Sequence, residues 1–231
     1  KGAVGKCLRA MEGAWDFGHV IVGPGDDAAV LRAEDGGYLL LAADGILPAL
    51  VEQDPVRAGR AAVLVNVNDI YAMGGRPLAL VNVLAGVDEQ QIEAISQGIR
   101  EECERLKVPM VGGHISPEGE VPFLAASVLG KAKALLMDRS AGPVQEILLA
   151  LDLRGERWGE YLLNWDSHVK KDSKTLCDDL AILCALAEEG ACVAAKDVSN
   201  AGILGSLAML LENAGLGARV DLARMEVPDS F

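Results

Sequence analysis

Val65–Gly75 reads VNVNDIYAMGG, and this stretch fixes the register of its neighbours. It closes a helix that begins at Asp54-Pro55, an N-cap followed by a proline at the first helical position. Val63, Val67 and Ile70 recur on one face, and Gly74-Gly75 ends the helix. Between Ala61 and Met73 only Asn66, Asn68 and Asp69 are strongly polar. Asn66 and Asp69 lie three apart, so they share a face that Met73 continues. A carboxylate in so apolar a helix is costly unless it is paired or bound to a cation. Asp69 either caps or pairs with a buried lysine, or it is a metal ligand near the helix's C-terminal end. The residues alone leave both open.

Working outward, Ala28 to Ala33 and Tyr38 to Gly45 read as strands joined by the turn signal Asp35-Gly36-Gly37. Downstream, Leu78 to Ala85 is a strand. Asp88 caps a helix with Ile92, Ile95, Ile99, Cys103 and Leu106 in register. Pro109 to Ser116 and Val121 to Ala132 are two more strands. This order predicts an α+β fold: a mixed or antiparallel sheet with helices on one face. MDRSAGPVQ (137–145) is a boundary, which divides the chain into domains 1–135 and 136–231. In the second part EILLALDL (146–153), ACVAAKDVS (191–199) and ARVDLARMEV (218–227) read as strands. Two helices are expected, one capped by Asp172 or Ser173 and closed by Gly190, the other from Gly202 to Ala214 and stopped by Gly215. There is no repeat or low-complexity tract.

The 231 residues are 51% hydrophobic and 24% charged, a globular composition. Aromatics are only 4%, so Leu, Val, Ile and Ala must build the core. A net charge of −13 without Lys/Arg-rich runs argues against nucleic-acid binding. It does not argue against ATP, because divalent cations bridge carboxylates to phosphates. No segment reaches transmembrane length unbroken, and KGAVGKCLRAMEGAWDF lacks the apolar core of a signal peptide, so a cytoplasmic protein is expected. Cys7, Cys103, Cys177, Cys184 and Cys192 form no CxxC pair and read as idle thiols in a reducing compartment.

Four further segments carry chemistry. In GPGDDAAVL (23–31) the glycines permit tight turns, and Asp26-Asp27 stand where loop becomes strand, as ligands of a hard cation or as a solvated turn. Asp44 ends the apolar strand LAADGI as a third carboxylate, or it caps the loop that follows. VGGHIS (111–116) sets Gly112-Gly113, which admit a close ligand, beside His114, a ligand, an acid/base or a hydrogen-bonded core histidine. AAKDVSNAGILG (194–205) runs from strand to helix, with Lys196 and Asp197 at the strand end and Asn200 in the turn. That helix start is either an anion site or a simple cap, and it is not a Walker A loop.

Together, and in this order from Gly23 to Glu212, these segments resemble the superfamily of AIR synthase, thiamine-monophosphate kinase, selenophosphate synthetase and a hydrogenase-maturation dehydratase. GDDAAVL resembles the kinase's phosphate and metal segment. NVNDIYAMGGRP resembles the group's N-x-x-D-x-x-A-M-G-G/A-x-P helix end, and KDVSNAGILG its second-domain segment. The resemblance implies an N-terminal sheet that pairs across a homodimer into a barrel, followed by a C-terminal α/β domain. It implies ATP in a cleft, with Mg²⁺ held by Asp27, Asp69 and Asp197 and assisted by Asp44 and Asp26. Asn66, Asn68, Gly112, Gly113 and Asn200 are the implied nucleotide contacts, and His114 and Lys196 are the candidate catalytic groups.

The departures fall where a substrate would be chosen. The kinase's GGDT is GGHIS here, so His114 replaces a metal carboxylate. The reactive Cys or selenocysteine loop of selenophosphate synthetase and the S-x-G-x-H-x-N-G segment of AIR synthase have no match. NWDSHVKKDSKTL stands in the latter's place, so Trp165, Asp166, His168, Lys170 and Lys171 form either a substrate site or a solvated loop. The pattern is most similar to that of uncharacterised AIR-synthase-related proteins. It implies a Mg-ATP-dependent phosphoryl-transfer enzyme acting on a small molecule. The alternatives are a nucleotide-binding accessory protein without turnover and a bare dimer scaffold.

Overall fold

The expected caps form, and they set the two helices that back the sheet. In the computed structural model, which describes residues 2–116, 118–152, 154–157 and 165–224, Asp54 accepts the Arg57 amide at 3.0 Å and starts α3 (Pro55–Ala72). Asp88 forms a full capping box with Gln91 at the start of α4 (Glu89–Leu106). Their order is preceded by α1 (Gly2–Ala10), β1 (Val20–Val22), β2 (Ala29–Arg32), β3 (Tyr38–Ile46) and α2 (Pro48–Gln53). It is followed by β4 (Arg76–Ala85), β5 (Met110–Ser116), β6 (Phe123–Ala132), β7 (Glu156–Arg157), β8 (Trp165–Asp166), α5 (Ser173–Glu188) and α6 (Gly202–Ala214), with β4 ahead of α4.

The main sheet runs β1-β2-β3-β6-β4-β5, antiparallel except for the β4–β5 pair. The α+β reading therefore holds, with a mixed sheet. One face packs on α3 and α4 through Leu40, Leu80, Leu84, Leu124 and Val128 against Val63, Val67, Ile70 and Ile95, all almost fully buried. The two helices touch backbone to backbone. A Cβ on Gly59 would stand 2.2 Å from the Ile95 carbonyl oxygen, and one on Gly98 1.9 Å from that of Val56. Gly98→Ala is therefore expected to cost about 2 kcal/mol through overpacking, read as a lower urea midpoint with an unchanged m-value. A substitution that leaves the midpoint in place would contradict this close contact.

The opposite sheet face is open, and Leu41, Val81, Val83, Phe123 and Leu129 expose 40–48% of their surface on it. The second part of the chain departs from expectation. The described residues of the three expected strands, 146–152, 191–199 and 218–224, form no strand; Leu153 and residues 225–227 lie outside the described residues. Ile147, Leu148 and Leu149 stand exposed instead. An apolar run becomes a strand only where a neighbouring ladder takes its backbone groups, and these runs have none among the described residues. Both helices form, with Asp172 capping α5 and Gly215 in the left-handed conformation (φ 67°) after α6.

The described part of the NWDSHVKK segment, from Trp165 to Lys171, is neither a solvated loop nor part of the aspartate cluster, and Asn164 lies outside the described residues. Trp165 Nε1 donates to the Asp152 carbonyl at 2.8 Å, and the Asp166 carboxylate accepts the amides of His168 and Val169 at 2.9 and 3.0 Å. Lys171 pairs with Asp152 and Asp179. The Arg105 guanidinium donates to the carbonyls of His168 and Lys171, so the segment braces the end of α4. Burial, ahead of its charged neighbours, pushes the His168 imidazole down to about 4. The unfolded chain binds this proton near pH 6.5 and the folded chain does not, so the associated stability is full above that pH and is lost as the pH falls toward 4. His168→Gln should flatten the decline of thermal midpoint over that window, and a parallel decline in both proteins would refute the assignment.

Candidate functional site

The site forms where the sheet's helix-facing side meets the second part of the chain. Strand register places Asp44, Ala126, Asn82 and Gly113 in one row across β3, β6, β4 and β5. Leu40 and Ala42 share the parity of Asp44 and are buried, so the row faces α3. Asp69 enters from the last turn of α3 and is only 9% exposed. It stands at the negative end of the helix dipole. Burial, then the charges of Asp44, Asp197 and Asp27, push its carboxyl up to about 9, with Lys196 opposing.

Asp27 precedes β2 and Lys196 follows α5, yet the Lys196 ammonium donates to the Asp27 carboxylate across 169 positions of sequence. The Asp197 amide donates to the other Asp27 oxygen at 3.3 Å. Burial raises the Asp27 carboxyl to about 6 despite the lysine. Burial also works against the Lys196 ammonium, but the bond to Asp27 and the charges of Asp27, Asp138 and Asp26 outweigh it and hold it above its usual range. Desolvation raises Asp44 and Asp197 as well.

Asp26 accepts the Asp27 amide and the Asp138 amide, each at 3.0 Å. It too is pushed up to about 6, by burial and then by the charge of Asp138. Asp138 is 1% exposed and was not singled out in the sequence. Its Oδ2 accepts from Asn213 Nδ2 at 2.9 Å, and the same nitrogen donates to the Gly25 carbonyl at 2.7 Å. Gly25 has φ +129°, a conformation that only glycine adopts freely, so the loop turns there. Asp138 of MDRSAGPVQ thus anchors the GPGDD loop. The signal available was a lone Asp-Arg pair after an apolar strand, which is ordinary helix-start chemistry.

Asn66 is fully buried; its Nδ2 donates to the Ala62 carbonyl at 2.8 Å, while its Oδ1 and that of Asn68 have no partner among the described residues. Gly113 is fixed by packing, since a Cβ there would stand 2.3 Å from Asn82 Oδ1. Asn82 was the polar residue missed inside LALVNVLA. Gly112 has room, its nearest neighbour being Val81 at 3.9 Å. His114 pairs in register with Val83, so it lies on the outer face, opposite Asp44 and Asp69, and is not brought to the aspartates. Asn200 sits in the turn that leads into α6.

The aspartates bear on one another electrostatically, but among the described residues no three His, Cys, Asp or Glu side chains converge as a preformed metal cage. The oxygen-only set still suits Mg²⁺, which binds through one or two carboxylates and keeps waters and phosphate oxygens as its other ligands. The buried Asp69 carboxyl is the group such an ion would satisfy. Two clefts of about 540 and 730 Å³ adjoin the GPGDD loop, and Asp26 borders both.

Residues 25–132 match the AIR synthase related protein, N-terminal domain, and residues 158–231 match the AIR synthase related protein, C-terminal domain. The chain belongs to the AIR synthase related superfamily. An uncharacterised protein from Synechocystis sp. is 40% identical over 204 residues, covering 88% of this chain and 63% of its own length. One from Methanocaldococcus jannaschii is 37% identical over 214 residues, covering 92% of this chain and 66% of its own length. The phosphoribosylformylglycinamidine synthase subunit PurL of a Bradyrhizobium species is 29% identical over 242 residues, covering 89% of this chain and 32% of its own. The chain thus spans less than two thirds of the length of these relatives. In structure it is similar to AaThiL complexed with AMPPCP and TMP, with TM-score 0.52, 24% identity, and 61% of this chain and 44% of that one covered. It is also similar to thiamine monophosphate kinase from Aquifex aeolicus, with TM-score 0.50, 24% identity, and 62% and 46% covered. These two likenesses are of fold.

Proposed function

We propose that this chain is a Mg-ATP-dependent phosphoryl-transfer enzyme acting on a small molecule, with an N-terminal nucleotide and metal domain over 1–135 and a second domain over 136–231. The observation that carries this reading is Asp69. A carboxylic acid at the negative end of an apolar helix, facing three more aspartates and a single lysine, destabilises the fold and is explained by a cation that arrives later. Asp27, Asp69 and Asp197 hold Mg²⁺, with Asp44 and Asp26 beside them. Asn66, Asn68, Gly112, Gly113 and Asn200 line the nucleotide. Bound Mg²⁺ supplies charge neutralisation to the transferred phosphoryl group. The chain's own residues would position the groups and exclude water, and Lys196 would offer its ammonium to the phosphate.

The test is calorimetric titration of Mg-ATP into the wild type and Asp69→Asn. Binding by the wild type and its loss in the variant support the reading, and failure of the wild type to bind any nucleotide sinks it. Binding without turnover of any offered acceptor would favour the nucleotide-binding accessory role, which the placement of His114 away from the aspartates makes a real second reading.

The open sheet face supports a homodimer that buries Val81, Val83, Leu129 and Phe123 against a second copy. His114 shares that face and would lie in the interface. Val83→Arg is expected to convert a dimer to a monomer in sedimentation velocity, and an unchanged sedimentation coefficient would place the interface elsewhere. Among the described residues no helix is long and apolar enough to cross a membrane. The five unbonded thiols suit the cytoplasm.

A further inference from the structure

Residues 15–19 read WDFGH, which sets Trp15, Phe17 and His19 at alternate positions. The chain has only three Trp, three Phe and three His, so one of each falls within five residues. All three line the cleft of about 540 Å³. The Phe17 and His19 ring centroids lie 6.0 Å apart, with the rings tilted by 41°. Backbone bonds fix this wall: the Val20 amide donates to the Phe17 carbonyl at 2.9 Å, and the Arg32 amide of β2 donates to the His19 carbonyl at 2.8 Å. Trp15 lies against Gly23, where a Cβ would stand 3.1 Å from its ring. The wall is not core. Phe17 exposes 59% of its surface, and His19 is exposed as well. Rings used for packing would be buried, and an uncovered aromatic wall marks a place of contact.

The same cleft takes Leu31, Leu41 and Ala43 from the open sheet face, and Asp26 and Asp27 from the GPGDD loop. Its size is that of a small-molecule site. The two carboxylates differ in what they offer. The Asp27 side chain is 5% exposed and already accepts from Lys196 and from the Asp197 amide. Asp26 is partly exposed and accepts only two amides among the described residues, so about half of the roughly four acceptor sites of a carboxylate are open.

We propose that this cleft binds an uncharged heteroaromatic ring that carries an N–H donor. The ring packs on Trp15, Phe17 and the aliphatic floor, and its N–H donates to the Asp26 carboxylate. An anionic ring is disfavoured by Asp26 and Asp27, because the neighbouring cation, Lys196, is held by Asp27. A ring without a donor would cover Asp26 and leave it short of a partner. Such a ring has two possible sources, the base of a bound nucleotide or a separate small molecule. The site does not require the Mg-ATP reading, and only the choice between these sources rests on it.

The probe is indole, titrated into the whole chain at pH 7.5 and followed by ligand-observed NMR, with 1-methylindole as the same ring without a donor. Indole is expected to bind, and 1-methylindole to bind about tenfold more weakly. Phe17→Ala changes an exposed side chain, so it should keep the wild-type thermal midpoint while weakening indole by about tenfold. No binding of indole, equal binding of the two probes, or an affinity unchanged in Phe17→Ala overturns the proposal. The rival occupant is a second copy laid across Leu41. Indole binding to Val83→Arg but not to the wild type would give the cleft to that copy and overturn the proposal as well. Mg-ATP at saturation then separates the sources. Displacement of indole assigns the ring to the nucleotide's base, and indole retained beside bound Mg-ATP assigns it to a separate small molecule. Mg-ATP binding without indole binding defeats only the ring site, and indole binding without Mg-ATP binding defeats only the phosphoryl-transfer reading.

Discussion

Asp69→Asn is expected to stabilise the metal-free protein at pH 7.5 while weakening Mg-ATP binding by about a hundredfold. The carboxyl titrates near 3.8 in the unfolded chain and near 9 in the fold, raised by burial and then by Asp44, Asp197 and Asp27. Between those values the unfolded chain has released the proton and the folded chain has kept it. The stability is therefore full below about pH 4 and is lost as the pH rises toward 9, at up to about 1.4 kcal/mol per pH unit. Asparagine has no proton to lose, so its thermal midpoint should exceed the wild type's by roughly 10 °C at pH 7.5 and match it near pH 4. Asp26 and Asp27, each raised to about 6, lose stability in the same direction over a lower window in both proteins. Calorimetric scans across pH, with and without Mg-ATP, read both effects. A variant less stable than the wild type at pH 7.5 would mean that Asp69 is satisfied in the fold without a cation.

Lys196→Met should do the reverse. It removes the ammonium from Asp27, whose side chain is only 5% exposed, and from the field of Asp138. Breaking one side of a buried pair costs about 3–5 kcal/mol, so the metal-free variant should melt roughly 10 °C lower. Mg²⁺ alone should restore most of that loss, because it supplies the positive charge the methionine lacks. A loss that Mg²⁺ does not recover would separate Lys196 from the metal site. The pair of variants is diagnostic because the signs differ: one removes a carboxyl that the fold holds protonated at a cost, and the other removes the cluster's counter-ion.

The helices and most of the first sheet were legible because their signals are local. Asp54-Pro55, Asp88, Asp172 and Gly215 act within a few residues of themselves, and each appears where expected. The short β1 and α2 were passed over; each is too brief to carry a period. The second-part strands were misread for the opposite reason. Ile147–Leu151 carries a strand's composition, but composition cannot supply the partner ladder. At the site, Asp27, Asp44, Asp69 and Asp197 could be named because each is a carboxylate at the edge of an apolar run. Asp138, Asn82 and Asn213 could not, since nothing in their own neighbourhoods marks them.

By itself the sequence determined the α+β class, the caps that start the helices, the four aspartates and membership of the superfamily. All of these are written in spacing and order. Tertiary structure alone decided which charges meet. Lys196 reaches Asp27 across 169 positions, and Asn213 of α6 holds Gly25 across 188. It also decided that His114 faces away. Alternate residues of a strand point to opposite faces, so its side followed from the register of β5 on β4, which no local signal encodes. The physical reason is common to these cases. Local preferences act over a turn or a pleat, whereas the field at a buried carboxylate is summed over every charge the fold brings near it.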